Sequence, residues 1–466
     1  MIFDLAKYKD ATAAIDDSGL EISYRDLLDA STRLSHFFSS RSLVFCFCKN
    51  TVGSLLGYVS FLNGGAVPIM LDANKDSELV RKLLSAYAPN FLWLPDEESG
   101  LYGGDLLYSE WGYSLVLYSK QQVPMADELA LLLTTSGSTG SPKLVRLSYD
   151  NIKSNARSIV EYLGITDLER PVTTLPMYYS YGLSVINTHL MVGSTILLTE
   201  QSIMQKEFWH FVKEQEATSM AGVPYTYEML RRLRFFRMDL PKLTTLTQAG
   251  GRMKADLVKE YIEGAKMTNK KFFVMYGQTE ATARISFLPW EYAESKYSSI
   301  GIAIPGGKIY LLDEKEDEIK ESGRDGELVY AGENVSLGYA EEKADLFKKD
   351  ENKGILHTGD IARRDEDGYF YITGRMKRFV KIFGNRCNLD AMESLLKDIV
   401  PDCACIGVDD LITVFVTKDG LSEIIRTYLV QKTGLNNRAF NVRLVDRIPR
   451  SESGKVLYAE LNKLLD

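Results

Sequence analysis

Residues 131–143 read LLLTTSGSTGSPK, an apolar run that leads into a loop rich in hydroxyl groups and glycine. The apolar part predicts a buried strand over residues 129–134, and the loop has the composition needed to wrap a polyphosphate. Glycines let backbone N–H groups approach phosphate oxygens, hydroxyls donate further hydrogen bonds, and Lys143 supplies a positive charge. The candidate phosphate-binding residues are Thr135, Ser136, Gly137, Ser138, Thr139, Gly140 and Lys143.

Two better-known loops are excluded by single residues. A Walker A loop needs glycine five residues after Gly137, where Pro142 stands. A nucleophile elbow needs glycine in place of Ser136.

Other short apolar runs alternate along the chain with amphipathic segments of helical length. These runs are residues 43–48, 66–71, 129–134, 194–198, 219–222, 243–249 and 272–276. The alternation predicts an α/β fold, with a large N-terminal domain of parallel-rich sheets covered by helices.

The pattern of residues along the sequence changes after about residue 298. Short strands separated by glycine and acidic turns predict a small β subdomain that ends near residue 374. The basic segment 374–381 is interpreted as an exposed connection between domains. Helices over 389–397 and 423–433 and strands over 412–416 and 442–445 then predict a small α+β domain. The predicted domains are therefore residues 1–374 and 375–466.

Bulk composition narrows the class of protein. A chain of 466 residues with 45% hydrophobic residues can fill two or three cores. A net charge of -8 disfavours nucleic acid as a partner. Without a signal-like start or a long apolar run, the chain is expected to be cytoplasmic, with no membrane span. The five cysteines follow no metal-ligand spacing, so buried reduced thiols are expected.

Three later segments place polar residues in glycine turns: YGQTE at 276–280, HTGD at 357–360 and RSESGK at 450–455. An aromatic face can stack on a purine, a hydroxyl can donate to a phosphoryl oxygen, and a carboxylate can bind a hard cation. Taken alone, each segment is more typical of a structural turn. The same holds for His357, which has no ligand-type residue at metal spacing.

In this order, the four segments resemble the signature motifs of the adenylate-forming superfamily, which includes acyl-CoA synthetases, nonribosomal peptide adenylation domains and firefly luciferase. The resemblance extends over residues 22–455 and is strongest to AMP-forming acyl-CoA ligases. It implies that ATP, with Mg2+, converts a carboxylic acid to an acyl-adenylate, whose acyl group then passes to the thiol of CoA. It also implies that the α+β domain is a mobile lid.

The resemblance assigns roles around the nucleotide. Tyr276 stacks on adenine, Thr279 meets the α-phosphate, and Glu280 is the metal ligand. Asp360 accepts hydrogen bonds from the ribose hydroxyls, with Arg375 beside it. Gly250, on the strand end opposite the adenine site, and Gly277 complete the nucleotide-binding set. Lys455 bridges the acid's carboxylate and the α-phosphate.

The second reaction needs the lid to move, because Lys455 would block a thiol that approaches the acyl group. The resemblance implies rotation about a hinge at Lys377, which withdraws Lys455 and presents the segment from Lys381 to Arg386. Gly384 matches thioester-forming members. Lys377 and Lys381 could also be ordinary solvent charges.

The candidate acid pocket contains Tyr179, Gly182 and Gly251. Tyr179 stands where many acyl and aryl ligases carry histidine. Gly182 falls where amino-acid-activating relatives carry an aspartate, so α-amino acids are disfavoured, since a buried ammonium would be unpaired. Arg252 could pair with a second carboxylate of the substrate, but a charged residue opening a helix is more often solvent-facing.

The acyl acceptor is left open by the residues. A CoA ligase and a ligase that loads the phosphopantetheine of a separate carrier protein share this apparatus. A non-catalytic adenylate sensor and a simple ATPase are the remaining alternatives. The joint presence of Lys455, Glu280 and Asp360 argues against both.

Overall fold

The computed structural model describes residues 2–74, 77–134, 143–382, 385–397, 399–408, 410–450 and 456–465. The chain divides into two compact units. The first consists of Met1–Lys308 and Tyr330–Leu356, and the second of Ile309–Val329 and His357–Asp466. The domain boundary between residues 374 and 375 stays a prediction.

Strands and helices of the described residues are numbered in chain order. The strands are β1 (Thr12–Asp16), β2 (Glu21–Ser23), β3 (Leu43–Cys48), β4 (Val67–Asp72), β5 (Phe91–Pro95), β6 (Asp105–Glu110), β7 (Tyr113–Leu117), β8 (Leu129–Thr134), β9 (Leu144–Ser148), β10 (Pro171–Val172), β11 (Ile196–Leu198), β12 (Ser219–Gly222), β13 (Thr245–Gln248), β14 (Lys271–Tyr276), β15 (Ser286–Phe287), β16 (Ile302–Ala303), β17 (Lys308–Leu312), β18 (Asp325–Ala331), β19 (Gly338–Ala340), β20 (Ile355–Arg364), β21 (Phe370–Arg375), β22 (Phe379–Ile382), β23 (Asn385–Asn388), β24 (Cys403–Val408), β25 (Leu411–Val416) and β26 (Phe440–Leu444). The helices are α1 (Tyr24–Ser35), α2 (Val52–Asn63), α3 (Ser77–Tyr87), α4 (Tyr149–Leu163), α5 (Ser180–Val192), α6 (Lys206–Glu214), α7 (Pro224–Arg232), α8 (Ala255–Met267), α9 (Leu389–Leu396), α10 (Ser422–Thr433) and α11 (Tyr458–Asn462).

Two large mixed sheets form the first unit. One has nine strands in the order β16-β15-β14-β13-β12-β10-β11-β1-β2, and the other has eight in the order β19-β9-β8-β4-β3-β5-β7-β6. The strands from β14 to β1 run parallel, and so do β8, β4, β3 and β5. The predicted α/β fold with parallel-rich sheets is confirmed.

Helix α2 is buried along nearly its whole length, because its sequence is apolar on every face. It shares one core cluster with Ala14 and Ile22 of the nine-stranded sheet and with Val44 and Cys46 of the eight-stranded sheet. Gly57 allows this packing, since a Cβ there would lie 2.2 Å from the indole nitrogen of Trp93. The core therefore lies where helices are enclosed by sheets.

The second unit contains most of the four-stranded sheet β17-β18-β20-β21, the hairpin β22-β23 and the three-stranded sheet β24-β25-β26. Helices α9 and α10 contribute Leu389, Met392, Ile425 and Leu429 to one core cluster of this unit. Both helices and strands β25 and β26 were predicted from the sequence to within two residues. Strand β24 was not.

The segment 374–381 is not an exposed connection throughout, so that prediction is wrong at Arg378. Arg378 is buried and bonds Asp390 at 2.9 Å and Glu393 at 2.6 Å, both on α9. It also donates to the carbonyl of Cys405 at 2.7 Å. Two carboxylates and a carbonyl thus satisfy this buried cation, although the basic composition of the segment had indicated an exposed one.

All five cysteines are free and buried, as expected. Across the described part of the chain, the helices lack the combination of length and apolar character that crossing a membrane requires.

Candidate active site

Parallel strands β12, β13 and β14 end at one edge of the nine-stranded sheet. Gly222 pairs with Gln248, and Gln248 with Val274, so the loops that follow these strands leave from neighbouring points. The carboxyl edge of such a sheet is where ligands of open α/β folds bind. Helix α5 begins beside this edge, because the hydroxyl oxygens of Ser180 and Thr279 lie 3.2 Å apart.

The Glu280 carboxylate is held by Tyr339 of β19. The Tyr339 hydroxyl donates to it at 2.7 Å, and the backbone N–H of Ser336 donates to the Glu280 carbonyl at 2.8 Å. Burial raises the pKa of Tyr339, and the neighbouring Glu280 charge raises it further. The phenol is therefore a neutral donor to a half-buried carboxylate.

Lys143 reaches the same place from the end of the predicted phosphate loop. Strand β19 pairs with β9 in a register that sets Tyr339 against Val145, and the Lys143 ammonium lies 3.6 Å from the centre of the Tyr339 ring. This cation–π contact places a positive charge near Glu280 without pairing the two directly.

Gly277 is required by the turn that carries these side chains. A Cβ at Gly277 would lie 1.7 Å from the carbonyl oxygen of Ala283, so any side chain would displace the backbone. The Gln278 amide donates to the Tyr276 hydroxyl at 3.3 Å. The turn thus places Tyr276 and Thr279 three positions apart at the sheet edge.

Tyr179 and Gly250 are also brought together. Gly250 has a φ of +83°, and a Cβ there would lie 2.5 Å from the Tyr179 hydroxyl. Burial raises the pKa of Tyr179, against the opposing charge of Arg284. Gly251 follows as an exposed residue with Pro224 beside it. The predicted nucleotide residue Gly250 therefore adjoins the predicted pocket residue Tyr179.

Gly182 lies in the first turn of α5 and packs against the main chain of Leu175 and Pro176. A Cβ at this position would lie 2.2 Å from the Pro176 carbonyl oxygen and 2.8 Å from that of Leu175. Close backbone packing explains the glycine, and its predicted place in the acid pocket stays a prediction.

The second unit pairs Asp360 with Arg375 across strands β20 and β21. The Arg375 Nε lies 3.1 Å from the Asp360 carboxylate, which is buried while the arginine is exposed. His357 contacts Glu327 at 3.1 Å through Nδ1 on the surface. The structure brings Asp360 and Arg375 together as an ion pair, and their ribose-binding role stays a prediction.

Several predicted site residues lie outside the described residues. They are Thr135, Ser136, Gly137, Ser138, Thr139, Gly140, Gly384 and Lys455. The backbone places Lys377 in the turn Met376–Arg378 and Lys381 in β22. Their side chains fall outside what the structure describes.

The residues at Glu280 fit a magnesium ion that also binds substrate phosphates. Mg2+ is usually held by one or two carboxylates plus phosphate oxygens, and not by a full cage of protein ligands. Glu280 offers one carboxylate, and no group of three or more metal-ligating side chains occurs among the described residues. The donor set suits a cation shared with ATP.

Three residues of this region were not singled out from the sequence: Ser180, Tyr339 and Arg284. Ser180 lies between Tyr179 and Gly182, both proposed for the acid pocket, so its place at the start of a helix could have indicated it. Tyr339 follows the motif residue Glu280 by 59 positions, and the two residues meet only in the folded chain.

The chain matches one protein-family model and many known proteins. A family model described as AMP-binding enzyme matches residues 4–340. The feruloyl-CoA synthase of Amycolatopsis sp is 28% identical over 353 residues, which cover 72% of this chain and 70% of the relative. The long-chain-fatty-acid–CoA ligase of Escherichia coli O157:H7 is 29% identical over 371 residues, covering 75% of this chain and 64% of that enzyme.

Solved structures share the fold over nearly the whole chain. The o-succinylbenzoate CoA synthetase MenE from Bacillus subtilis, in complex with its acyl-adenylate, has a TM-score of 0.79 at 21% identity and covers 98% of this chain and 96% of that one. ATP-bound MatB from Rhodopseudomonas palustris has a TM-score of 0.79 at 23% identity, with 99% and 97% covered. Together with the family match, the CoA ligases among the relatives support AMP-forming ligation of an acid to a thiol. Since the family model covers more than half of it, the chain belongs to the AMP-binding enzymes, and it is similar to acyl-CoA ligases of that family.

Proposed function

We propose that this chain uses ATP and Mg2+ to convert a carboxylic acid to an acyl-adenylate, and then transfers the acyl group to the thiol of CoA. The observation that carries the proposal is the convergence of Thr279, Glu280 and Lys143 at the carboxyl edge of the parallel sheet, beside Ser180. Tyr179 and Gly250 border the same edge.

The chemistry needs positive charge and hydrogen-bond donors more than a protein nucleophile. A carboxylate that attacks the α-phosphorus of ATP is an anion approaching an anion, and positioning with electrostatic stabilisation dominates such a step. Lys143 and the Thr279 hydroxyl are donors for phosphate oxygens. Glu280 would hold Mg2+, which screens the triphosphate charge when bound.

The remaining roles in the proposed reaction belong to residues of the second unit. Asp360 and Arg375 would bind the ribose, and Lys455 would bridge the acid and the α-phosphate. Rotation about Lys377 would then exchange Lys455 for Lys381 before thiol attack. CoA is favoured as the acceptor because curated relatives over most of this chain are CoA ligases. A cytoplasmic location stays a prediction.

Exchange of labelled pyrophosphate into ATP, screened over a panel of acids, tests the first step. We expect acid-dependent exchange in the wild type and a loss of about 100-fold or more in Lys455→Ala, since a charge is removed from the reacting centre. Lys463→Ala removes an exposed lysine close by in sequence and is the matched control.

The outcomes separate the alternatives. Absence of exchange with every acid, or undiminished exchange in Lys455→Ala, contradicts the proposal. ATP hydrolysis without exchange indicates a simple ATPase. Thioester formation assayed with CoA and with phosphopantetheinylated carrier proteins then identifies the acceptor, and transfer only to a carrier overturns the assignment to CoA.

A further inference from the structure

A small cavity lies under the candidate site, between helices α4 and α5 and strands β10, β12 and β13. Its volume is about 40 Å3, roughly the space of two or three water-sized groups. Polar side chains that line it include Tyr181, Ser184 and His189 of α5, Thr247 of β13, and Arg284. The cavity combines apolar walls with a buried cation.

Arg284 is 2% exposed and incompletely satisfied. Its Nη2 lies 3.3 Å from the Ser184 hydroxyl, its Nη1 donates to the Ala283 carbonyl at 3.3 Å, and its Nε is buried with no hydrogen-bond partner. The guanidinium carbon lies 4.0 Å from the centre of the Tyr181 ring.

Among the described residues, no carboxylate neutralises this cation. Within the described part of the chain, Arg284 forms no ion pair with a carboxylate. Glu169 lines the same cavity, but its carboxylate accepts the Thr218 hydroxyl instead. Burial raises the pKa of Tyr181 to about 12 although Arg284 opposes the shift, so this phenol stays neutral. A buried charge without a counter-ion is costly, which makes the absent anion significant.

Helix α5 borders both the candidate site and the cavity. Ser180 contacts Thr279 at the start of the helix, and Ser184 contacts Arg284 four residues later. Four residues advance about 6 Å along a helix axis. Arg284 also follows Glu280 by four positions in the chain. The unneutralised cation therefore lies about one helical turn deeper than the proposed reacting centre.

We propose that the acid substrate carries a second anionic oxygen group, such as a carboxylate, and that Arg284 receives it about one helical turn below the activated carboxylate. This inference rests on the proposed function. The second anion supplies the missing counter-charge, accepts from the free Nε–H, and fits the volume of the cavity. Arg284 is then a residue that determines substrate specificity.

The distance along α5 determines which acids should be tested. A separation of about 6 Å between the two carboxyl carbons corresponds to extended, unbranched diacids of about five to seven carbons, since each C–C bond advances about 1.25 Å. Each diacid is compared with its monoamide and with the monocarboxylic acid of the same length. The wild-type protein is assayed by pyrophosphate exchange, and kcat/KM is measured for each acid.

We expect the wild type to prefer the best diacid over its monocarboxylic counterpart by about 100-fold or more, because the pocket's cation is unpaired without it. Arg284→Met, which keeps length but not charge, should reduce that ratio to within about 10-fold, and Arg284→Lys should give an intermediate ratio. Arg252→Met tests the exposed arginine that the sequence offered for the same role.

Several results would overturn the inference while the proposed function stands. These are a wild type that activates uncharged acids in preference to every diacid, equal use of the diacid and its monoamide, or loss of the preference in Arg252→Met but not in Arg284→Met. Absence of exchange with every acid contradicts the proposed function instead. If Arg284→Met does not fold, the wild-type ratios alone decide.

Discussion

Glu280 is held on both its side chain and its backbone, by Tyr339 and by Ser336. The motif containing Glu280 can be found in the sequence, because its aromatic, hydroxyl and carboxylate residues lie within five positions. Tyr339 cannot be found that way, since its contact depends on a strand pairing between distant segments. Arg284 was missed for a related reason, because only burial reveals that its charge is unpaired.

Tyr339→Phe removes the hydrogen bond to Glu280 and keeps the ring beneath Lys143. A partner that orients a metal-binding carboxylate typically contributes 10- to 100-fold in metal affinity. We expect the Mg2+ concentration for half-maximal pyrophosphate exchange to rise about 10-fold. Tyr118→Phe, at an exposed tyrosine, is the control. An unchanged Mg2+ requirement would show that the hydroxyl does not orient Glu280.

His189 makes the protein sensitive to acid. Burial lowers its pKa from 6.5 to about 4, and its Nδ1 lies 2.7 Å from the Val185 carbonyl. The unfolded chain therefore binds a proton that the folded chain excludes as the pH falls from about 6.5 to 4, so stability is lost in that window. Between pH 7.5 and 5 this one group costs about 2 kcal/mol.

Urea unfolding of His189→Gln at both pH values measures that cost. The variant should lose about 2 kcal/mol less than the wild type between pH 7.5 and 5. His36→Gln, at an exposed histidine, should behave as the wild type does. Equal losses in His189→Gln and the wild type would contradict the assignment.

At the scale of elements, the short apolar runs predicted strands β3, β8 and β12 with the same first and last residues as the structure. Each of these strands is short, apolar and largely buried, which is why the sequence reveals it. The basic segment 374–381 was misinterpreted, because charge composition does not reveal a buried partner. Arg378 bonds two carboxylates of α9, and its guanidinium lies 3.8 Å from the centre of the Tyr458 ring. The turn at the proposed hinge, helix α9 and helix α11 are thereby joined within the second unit.

Arg378→Met should destabilise the second unit by about 3 to 5 kcal/mol, because it leaves Glu393 buried without its cation. Burial raises the pKa of Glu393, and the Arg378 charge opposes that shift. Thermal and urea unfolding measure the change. The double variant Arg378→Met/Glu393→Leu replaces the ion pair with apolar groups and should recover most of the loss. A double variant no more stable than the single would refute this account.

At the scale of the whole molecule, the chain passes between its two compact units three times, and residues proposed for one reaction are divided between them. Motif order along the chain was sufficient to predict both the fold and the reaction class. It could not define the units, since the second unit includes a segment, Ile309–Val329, that is distant in sequence from the rest.

The proposed rotation predicts that the two half-reactions can be separated. Lys377→Pro fixes φ at the proposed hinge, so pyrophosphate exchange should persist while CoA thioester formation falls by about 100-fold or more. Both are measured on the same preparation with the best acid. Lys377→Ala separates charge from backbone freedom. An equal loss in Lys377→Ala would assign the effect to the lysine charge and not to rotation.

Gly182 limits how this enzyme could acquire a new class of substrate. At Gly182, the position proposed for an aspartate that binds an α-amino group, any Cβ would lie 2.2 Å from the Pro176 carbonyl oxygen, a distance that only a shift of the backbone can relieve. A permissive change in the segment before α5 must therefore precede the aspartate, in evolution as in engineering. On this proposal, an aspartate at position 182 needs at least one further change beside it.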